Sequence, residues 1–204
     1  MLAAVYHVGV ANYAAAAVLA EYLERKGAEK PALTFYAVGH SHLDLAWLWP
    51  IRETKRKAGR TFSTALANIQ DYPDYIYGAS QPQQFELMKE QYPRLFEKIK
   101  EQVAAGKIEV QGGMWVEPDT NITGGESLIR QFYYGKKFWK DEFSKDVNTL
   151  WLPDVFGFTG ALPQIMKGCD CENMLTIKIC WNMVNKFPYH SFLWQGIDGS
   201  EVLV

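Results

Sequence analysis

The stretch Ala37-Val38-Gly39-His40-Ser41-His42-Leu43-Asp44 decides how this chain is read. It closes a compact apolar run over residues 33–39, the pattern of a buried strand, and passes at once into closely spaced polar groups. In extended or turn geometry, residues two apart point the same way. The His42 imidazole and the Asp44 carboxylate can therefore reach one cation together, with His40 on the same side. Neutral imidazole plus carboxylate suits zinc or a similar divalent ion. A His-x-Asp pair is also a common way to tie down a loop, and both uses stay open for this pair on local sequence alone.

Outward from this stretch, strand and helix patterns alternate. On the N-terminal side, residues 1–32 read as an Ala-rich helix over 11–26, ended by Gly27, and a short Lys30-Pro31-Ala32 linker, the tail of a preceding segment. Residues 33–204 read as one domain. A helix over 52–70 carries the stripe Phe62, Leu66 and Ile69, and a strand over 75–79 follows. The clearest helix covers 82–105, kinked or restarted at Pro93. A strand over 108–116 leads to Thr123-Gly124-Gly125-Glu126, a capping-box pattern opening a helix through 143. Then come a strand over 148–152, a short helix over 162–167, a strand over 174–179 and a sixth strand over 192–196. Repeated strand–helix–strand units predict an α/β fold of parallel strands with flanking helices. In such folds chemistry gathers at the carboxyl ends of strands. Those ends here carry His40, His42 and Asp44, then Ser80-Gln81, then Glu117 and Asp119, then Asp154, then Lys178.

Composition narrows the partners. The 204 residues are 48% hydrophobic and 22% charged with net charge −2, so no broad basic surface exists to hold nucleic acid or an anionic membrane. The N-terminus lacks the basic start of a signal peptide and the roughly 20 unbroken apolar residues of a membrane span. Three cysteines, Cys169, Cys171 and Cys180, are too few and too clustered for a disulfide framework, which predicts a reducing, cytoplasmic setting. Cys169 and Cys171 as metal thiolates lack a second Cys pair at zinc spacing. The aromatic share, 14% with 7 Trp and 11 Tyr, fits either a core or a sugar-stacking surface.

Among the strand-end residues, Asp154 lies in Trp151-Leu152-Pro153-Asp154-Val155-Phe156-Gly157. A carboxylate hemmed by aromatics is costly without a partner, and a metal would compensate it; capping the next turn is the other use. Glu117 and Asp119 can each act as an acid or accept from a polyol, or serve as loop or cap residues. Trp47, Trp115 and Phe156 can wall a sugar face or fill a core. Lys178 can hold a carboxylate or reach solvent. His7 and His190 read as structural.

These segments together resemble the α-mannosidases of glycoside hydrolase family 38, in their bacterial and cytosolic branch. The resemblance rests on Gly39-His40-Ser41-His42-Leu43-Asp44-Leu45-Ala46-Trp47-Leu48-Trp49, Gly112-Gly113-Met114-Trp115-Val116-Glu117-Pro118-Asp119, Gly125-Glu126-Ser127-Leu128-Ile129-Arg130-Gln131, Trp151-Leu152-Pro153-Asp154-Val155-Phe156-Gly157 and His190-Ser191-Phe192-Leu193-Trp194-Gln195-Gly196 in this order. It implies that residues 33–204 are part of a seven-stranded β/α barrel, an incomplete one, forming the front of a catalytic domain. It implies zinc, or another divalent cation such as cobalt, held by His42, Asp44 and Asp154. It implies that Asp154 is also the nucleophile of a retaining α-mannosidase acting on terminal α-linked mannose. Trp47 and Phe156 match positions lining the mannose pocket, and Asp119 is a candidate hydroxyl acceptor there. A fourth ligand and the acid/base carboxylate are expected beyond Val204. The expected partner is an α-mannoside or mannose-containing oligosaccharide.

Two other functions fit parts of the pattern. A metal-dependent polysaccharide deacetylase also sets His and Asp on a barrel, but needs paired Asp residues and a His-x-x-x-His that are not present. A catalytically incomplete fragment that binds sugar or metal without turnover is the other.

Overall fold

The structure, a computed structural model, describes residues 36–204. The helix expected over 11–26 and the linker after it lie outside the described residues. Seven short strands arrange in two sheets. The first is wholly parallel and runs β1 (Gly39–His40), β2 (Tyr77–Ala79), β3 (Ile108–Val110). The second is ordered β4-β5-β7-β6, where β4 (Thr149–Leu152), β5 (Asn173–Thr176) and β7 (Glu201–Leu203) are parallel. Strand β6 (Leu193–Gln195) pairs antiparallel with β7. One backbone hydrogen bond, from Gly113 N–H to Thr149 O at 2.9 Å, links the chain just past β3 to the start of β4. The described strands thus give the expected α/β class of mostly parallel strands with flanking helices, and they are not joined into a seven-stranded barrel.

Helices pack on these strands because each is apolar on one side. Helix α1 (Ile51–Asp71) buries Ala58, Phe62 and Ala65. The helix expected over 82–105 is two helices, α2 (Pro82–Gln91) and α3 (Pro93–Ala104). Pro93 has no N–H to continue the ladder and opens the second helix at its first position. Helix α4 (Gly125–Phe143) bridges two cores. Its Phe138 and Trp139 join Phe62, Phe85 and Phe96 on one side, and its Leu128 and Phe132 join Leu150, Leu152 and Met166 on the other. Trp139 is fully buried, edge-on to Phe85 at 4.8 Å, and its indole N–H donates to Gly112 O at 2.8 Å, so its one polar atom is satisfied. Helix α5 (Leu162–Gly168) covers β7.

Several expected elements are shorter or different. Of the strand expected over 33–39, residues 33–35 lie outside the described residues, and the rest gives β1 at Gly39–His40 with Val38 exposed; among the described strands β1 pairs with β2. The strand over 108–116 stops at Val110; Gly112 takes a left-handed φ of 82° and turns the chain. No side-chain cap forms at Thr123-Gly124-Gly125-Glu126, because the N-cap residue is Gly124, which has no side chain; Glu126 accepts from Arg130 one turn on. The strand over 174–179 gives way after Thr176 to a 3₁₀ turn, Lys178–Cys180. The sixth strand is one arm of a hairpin whose turn is set by Gly199 (φ 89°) and by Asp198 accepting from Ser200.

Gly135 shows how tightly α4 sits. A Cβ there would collide with the backbone of Gly113, Met114 and Trp115. Helix propensity alone predicts that Gly135→Ala stabilises by about 1 kcal/mol. The packing reverses the sign, and we expect a loss of roughly 1–3 kcal/mol in urea unfolding. A stabilised variant would show that α4 does not approach so closely.

Candidate metal centre

The strand order β1-β2-β3 sets three chain segments side by side, and each delivers polar groups at its carboxyl end. The loop after β1 carries His42 and Asp44, the end of β2 carries Ser80 and Gln81, and the turn after β3 carries Glu117. Asp154 arrives from the end of β4, just past Pro153.

The loop after β1 is held by neutral side chains gripping its backbone. Gln81 and Gln84 both donate their amide N–H to Leu43 O at 3.1 Å. The Thr54 hydroxyl, at the start of α1, donates to Leu45 O and in turn accepts from the Trp49 indole N–H at 3.1 Å. Gln81 does this from a left-handed backbone, φ 63°, which costs of order 1 kcal/mol for a non-glycine residue. A carbonyl between His42 and Asp44 is thereby fixed from two sides, so the two side chains diverge from an immobilised peptide.

His42 stands at the middle of the cluster. Its Nε2 lies 3.3 Å from Asp44 Oδ1 and 3.2 Å from Asp154 Oδ2. One donor atom from each of the three lies within 4.8 Å of the others. Two donors each about 2.0 Å from a tetrahedral ion sit about 3.3 Å apart, so both imidazole–carboxylate spacings match edges of a zinc tetrahedron. The opposite ring nitrogen, Nδ1, lies 2.6 Å from Glu117 Oε2, close but off the line of a well-aligned hydrogen bond. Glu117 Oε1 accepts from the Ser80 hydroxyl at 2.8 Å, and Ser80 in turn is 3.5 Å from His40 Nε2.

Lys178 supplies the counter-charge. Its ammonium is 2.5 Å from Asp154 Oδ1, with the side chain only 9% exposed, and it lies over the Trp181 ring at 3.2 Å and the Phe156 ring at 4.7 Å. Three carboxylates (Asp44, Glu117, Asp154) face one ammonium, so once His42 is neutral the cluster retains two negative charges. That balance fits a divalent cation.

The proton on His42 answers the same imbalance. The contact with Glu117 pushes its pKa from 6.5 up to about 9, burial opposes, and Asp44 and Asp154 add to the rise. His40 moves the other way: burial lowers its pKa, with the attraction of Glu117 only partly opposing. A neutral His40 can donate Nε2–H to Ser80, whose own proton goes to Glu117.

The other residues named from sequence take separate places. Asp119 is exposed and accepts from the backbone N–H of Asn121 and Ile122 at 2.9 and 2.8 Å, the capping use. Trp47 and Phe156 are 67% and 79% exposed, open to a ligand. Trp115 packs edge-on to Phe138 at 5.5 Å and donates to Gln83, a core position. Burial raises the pKa of Cys169, and that of Cys171 to about 12, so neither thiol is a ready thiolate ligand. Sequence reasoning left Glu117 in second rank and did not foresee Gln84 or Thr54 as tethers; a Gln or Thr on a helix carries no signal of which distant carbonyl it will meet.

Comparison with known proteins converges on one group. Residues 32–204 match the glycosyl hydrolases family 38 N-terminal domain. Human alpha-mannosidase 2C1 is 48% identical over 171 residues, covering 84% of this chain and 16% of that protein. The alpha-mannosidase of Saccharomyces cerevisiae is 40% identical over 179 residues, covering 87% of this chain and 16% of the relative. The structure of an alpha-mannosidase from Enterococcus faecalis superposes with a TM-score of 0.73 at 22% identity, over 81% of this chain and 19% of that one. A 4-alpha-glucanotransferase from Thermococcus litoralis also superposes, with a TM-score of 0.60 at 15% identity, so the fold alone does not fix the reaction. The chain spans under a fifth of the length of these alpha-mannosidases.

A raised folded-state pKa stabilises the protein below the unfolded value, and that stability disappears as pH climbs through the folded value. For the metal-free chain, the stability difference between wild type and His42→Asn should be largest below pH 6.5. It should shrink by up to about 3 kcal/mol as pH rises through about 9. Urea midpoints at pH 6.5 and 9.5 measure this, and a pH-independent difference would show that the His42 proton is not held by these carboxylates.

Proposed function

Because the chain belongs to glycosyl hydrolase family 38, we propose that it forms the metal-binding portion of a retaining α-mannosidase acting on terminal α-linked mannose. The observation that carries this reading is the convergence of His42, Asp44 and Asp154 on one point, within 4.8 Å, at the carboxyl ends of parallel strands. Zinc is the ion that the donor set and spacing favour, with cobalt as a substitute. When bound, the ion supplies Lewis acidity and a chelation point for the cis 2- and 3-hydroxyls of mannose.

The chain's own groups divide the remaining work. Asp154 is the nucleophile: its carboxylate oxygen forms a bond to the anomeric carbon as the glycosidic C–O bond breaks. The departing oxygen takes a proton from a second carboxyl group; that group then draws a proton from water as the water oxygen bonds to the anomeric carbon and the bond to Asp154 breaks, releasing the sugar with retained configuration. Retaining pairs stand about 5–5.5 Å apart, and the resemblance puts this acid/base beyond Val204. Lys178 anchors Oδ1 of Asp154 and leaves Oδ2 toward His42, so one oxygen is restrained while the other faces the cluster. Trp47 and Phe156 offer apolar faces to the sugar ring, and Asp119 is the candidate acceptor for a hydroxyl. The α-mannoside is the proposed partner, and the chain spans under a fifth of the length of its alpha-mannosidase relatives.

Elemental analysis should find about one zinc ion per chain, and His42→Ala should release most of it. Unchanged metal content in the variant would remove His42 from the ligand set. In a full-length protein carrying this chain, a fluorinated mannosyl donor should label the peptide containing Asp154, and Asp154→Asn should lower aryl α-mannoside turnover by roughly 10³-fold or more. A label on another carboxylate would displace Asp154 as nucleophile.

A further inference from the structure

We propose that Glu117 is the positioning residue of the metal centre, locking the His42 ring so that Nε2 faces Asp44 and Asp154. This rests on the three-donor reading above and adds to it a fourth residue that touches neither ion nor substrate.

The geometry assigns the two faces of the imidazole different tasks. Nε2 looks toward Asp44 and Asp154 at 3.3 and 3.2 Å, while Nδ1 looks away from them onto Glu117 Oε2 at 2.6 Å. An imidazole free to flip about its Cβ–Cγ bond would present either nitrogen to a cation. A carboxylate behind Nδ1 fixes the proton on that nitrogen and leaves Nε2 as the lone-pair donor. Glu117 is itself immobilised, because its other oxygen accepts from the Ser80 hydroxyl at 2.8 Å and Ser80 is buried at the end of β2. The bracing therefore links the segments that follow all three strands of the first sheet, from the loop after β1 (His42) through the residue after β2 (Ser80) to the turn after β3 (Glu117).

Burial argues that this placement has a purpose. The Glu117 side chain is 5% exposed, and an ionised carboxylate hidden to that extent is costly unless a cation or donor faces it. Its facing groups are the His42 ring and the Ser80 hydroxyl. Lys178, the ammonium of the cluster, is engaged by Asp154 instead. A histidine that binds metal through one nitrogen commonly gives its other N–H to a carboxylate, which orients the ring and strengthens the donor; losing that partner costs 10–100-fold in metal affinity.

The test compares wild type, Glu117→Ala and Glu117→Gln in the 204-residue chain. Zinc dissociation constants are measured by competition with a chromophoric chelator over a series of pH values and compared on the plateau where they no longer change with pH. Thermal unfolding of the metal-free chains and visible absorption of the cobalt-substituted chains are recorded alongside. Glu117→Ala should bind zinc 10–100-fold more weakly and change the cobalt bands, since the ring loses its fixed orientation. Glu117→Gln keeps an acceptor oxygen and should recover part of that loss. If Glu117→Ala does not fold, Glu117→Gln carries the comparison through its cobalt spectrum and affinity. Affinity of a folded Glu117→Ala within about threefold of wild type overturns the role of Glu117 alone. A Glu117→Gln variant no better than Glu117→Ala also overturns it. A wild-type chain that binds no zinc overturns the three-donor reading and this role together.

Discussion

Charge neutralisation at the strand ends is the constraint on which the rest of this structure depends. Three carboxylates, Asp44, Glu117 and Asp154, are brought around one imidazole, and a single ammonium, Lys178, opposes them. Without more positive charge the segments that carry them would repel one another. The metal-free chain answers by keeping a proton on His42 up to about pH 9. A divalent ion answers the same deficit better, because it replaces that proton with two charges at the point where the donors meet. Proton and ion are alternative solutions to one electrostatic problem, which links the stability of the fold to the occupancy of the site.

The architecture makes that concentration of charge possible by fixing the backbone with neutral groups. Gln81, Gln84 and Thr54 hold the carbonyls around His42 and Asp44, and none of them adds charge to the cluster. The core behind the first sheet is aromatic, with Phe62, Phe85 and Trp139 interlocked beneath it. The result is a gradient of restraint. The loop that carries His42 and Asp44 is tied on both sides, while Trp47 and Phe156, the proposed sugar-facing rings, stand open at 67% and 79% exposure. A rigid electrostatic centre beside an open apolar rim is what a site needs when it must orient a charge and admit a ligand.

The helices and the polar strand ends were legible in the sequence because both obey short-range rules. The stripe Phe62, Leu66, Ile69 gave α1 its face, and His-x-Asp after an apolar run placed two donors together. Pro93 marked the break between α2 and α3. What depended on distant partners was not legible. Strand lengths came out shorter because pairing, not propensity, ends them, as where Gly112 turns the chain after Val110. The β6–β7 hairpin was missed although Asp198-Gly199 is a local turn signal between its arms, because each arm pairs over only three residues. Glu117 and Asp119 looked equivalent two residues apart. One is buried behind an imidazole and the other caps a turn, a division that only the packing of β1, β2 and β3 decides.

The left-handed backbone at Gln81 narrows what can evolve at that position. Glycine would relieve the torsion yet leave Leu43 O with one donor fewer. Asparagine tolerates the conformation, but its shorter arm would have to span the same gap. Valine, isoleucine and threonine are disfavoured by their branched Cβ. A saturation library at residue 81 should thus retain very few amino acids, although the side chain touches neither cation nor sugar. Such a position would pass for catalytic in a mutational scan while acting only as a splint for its neighbour's loop.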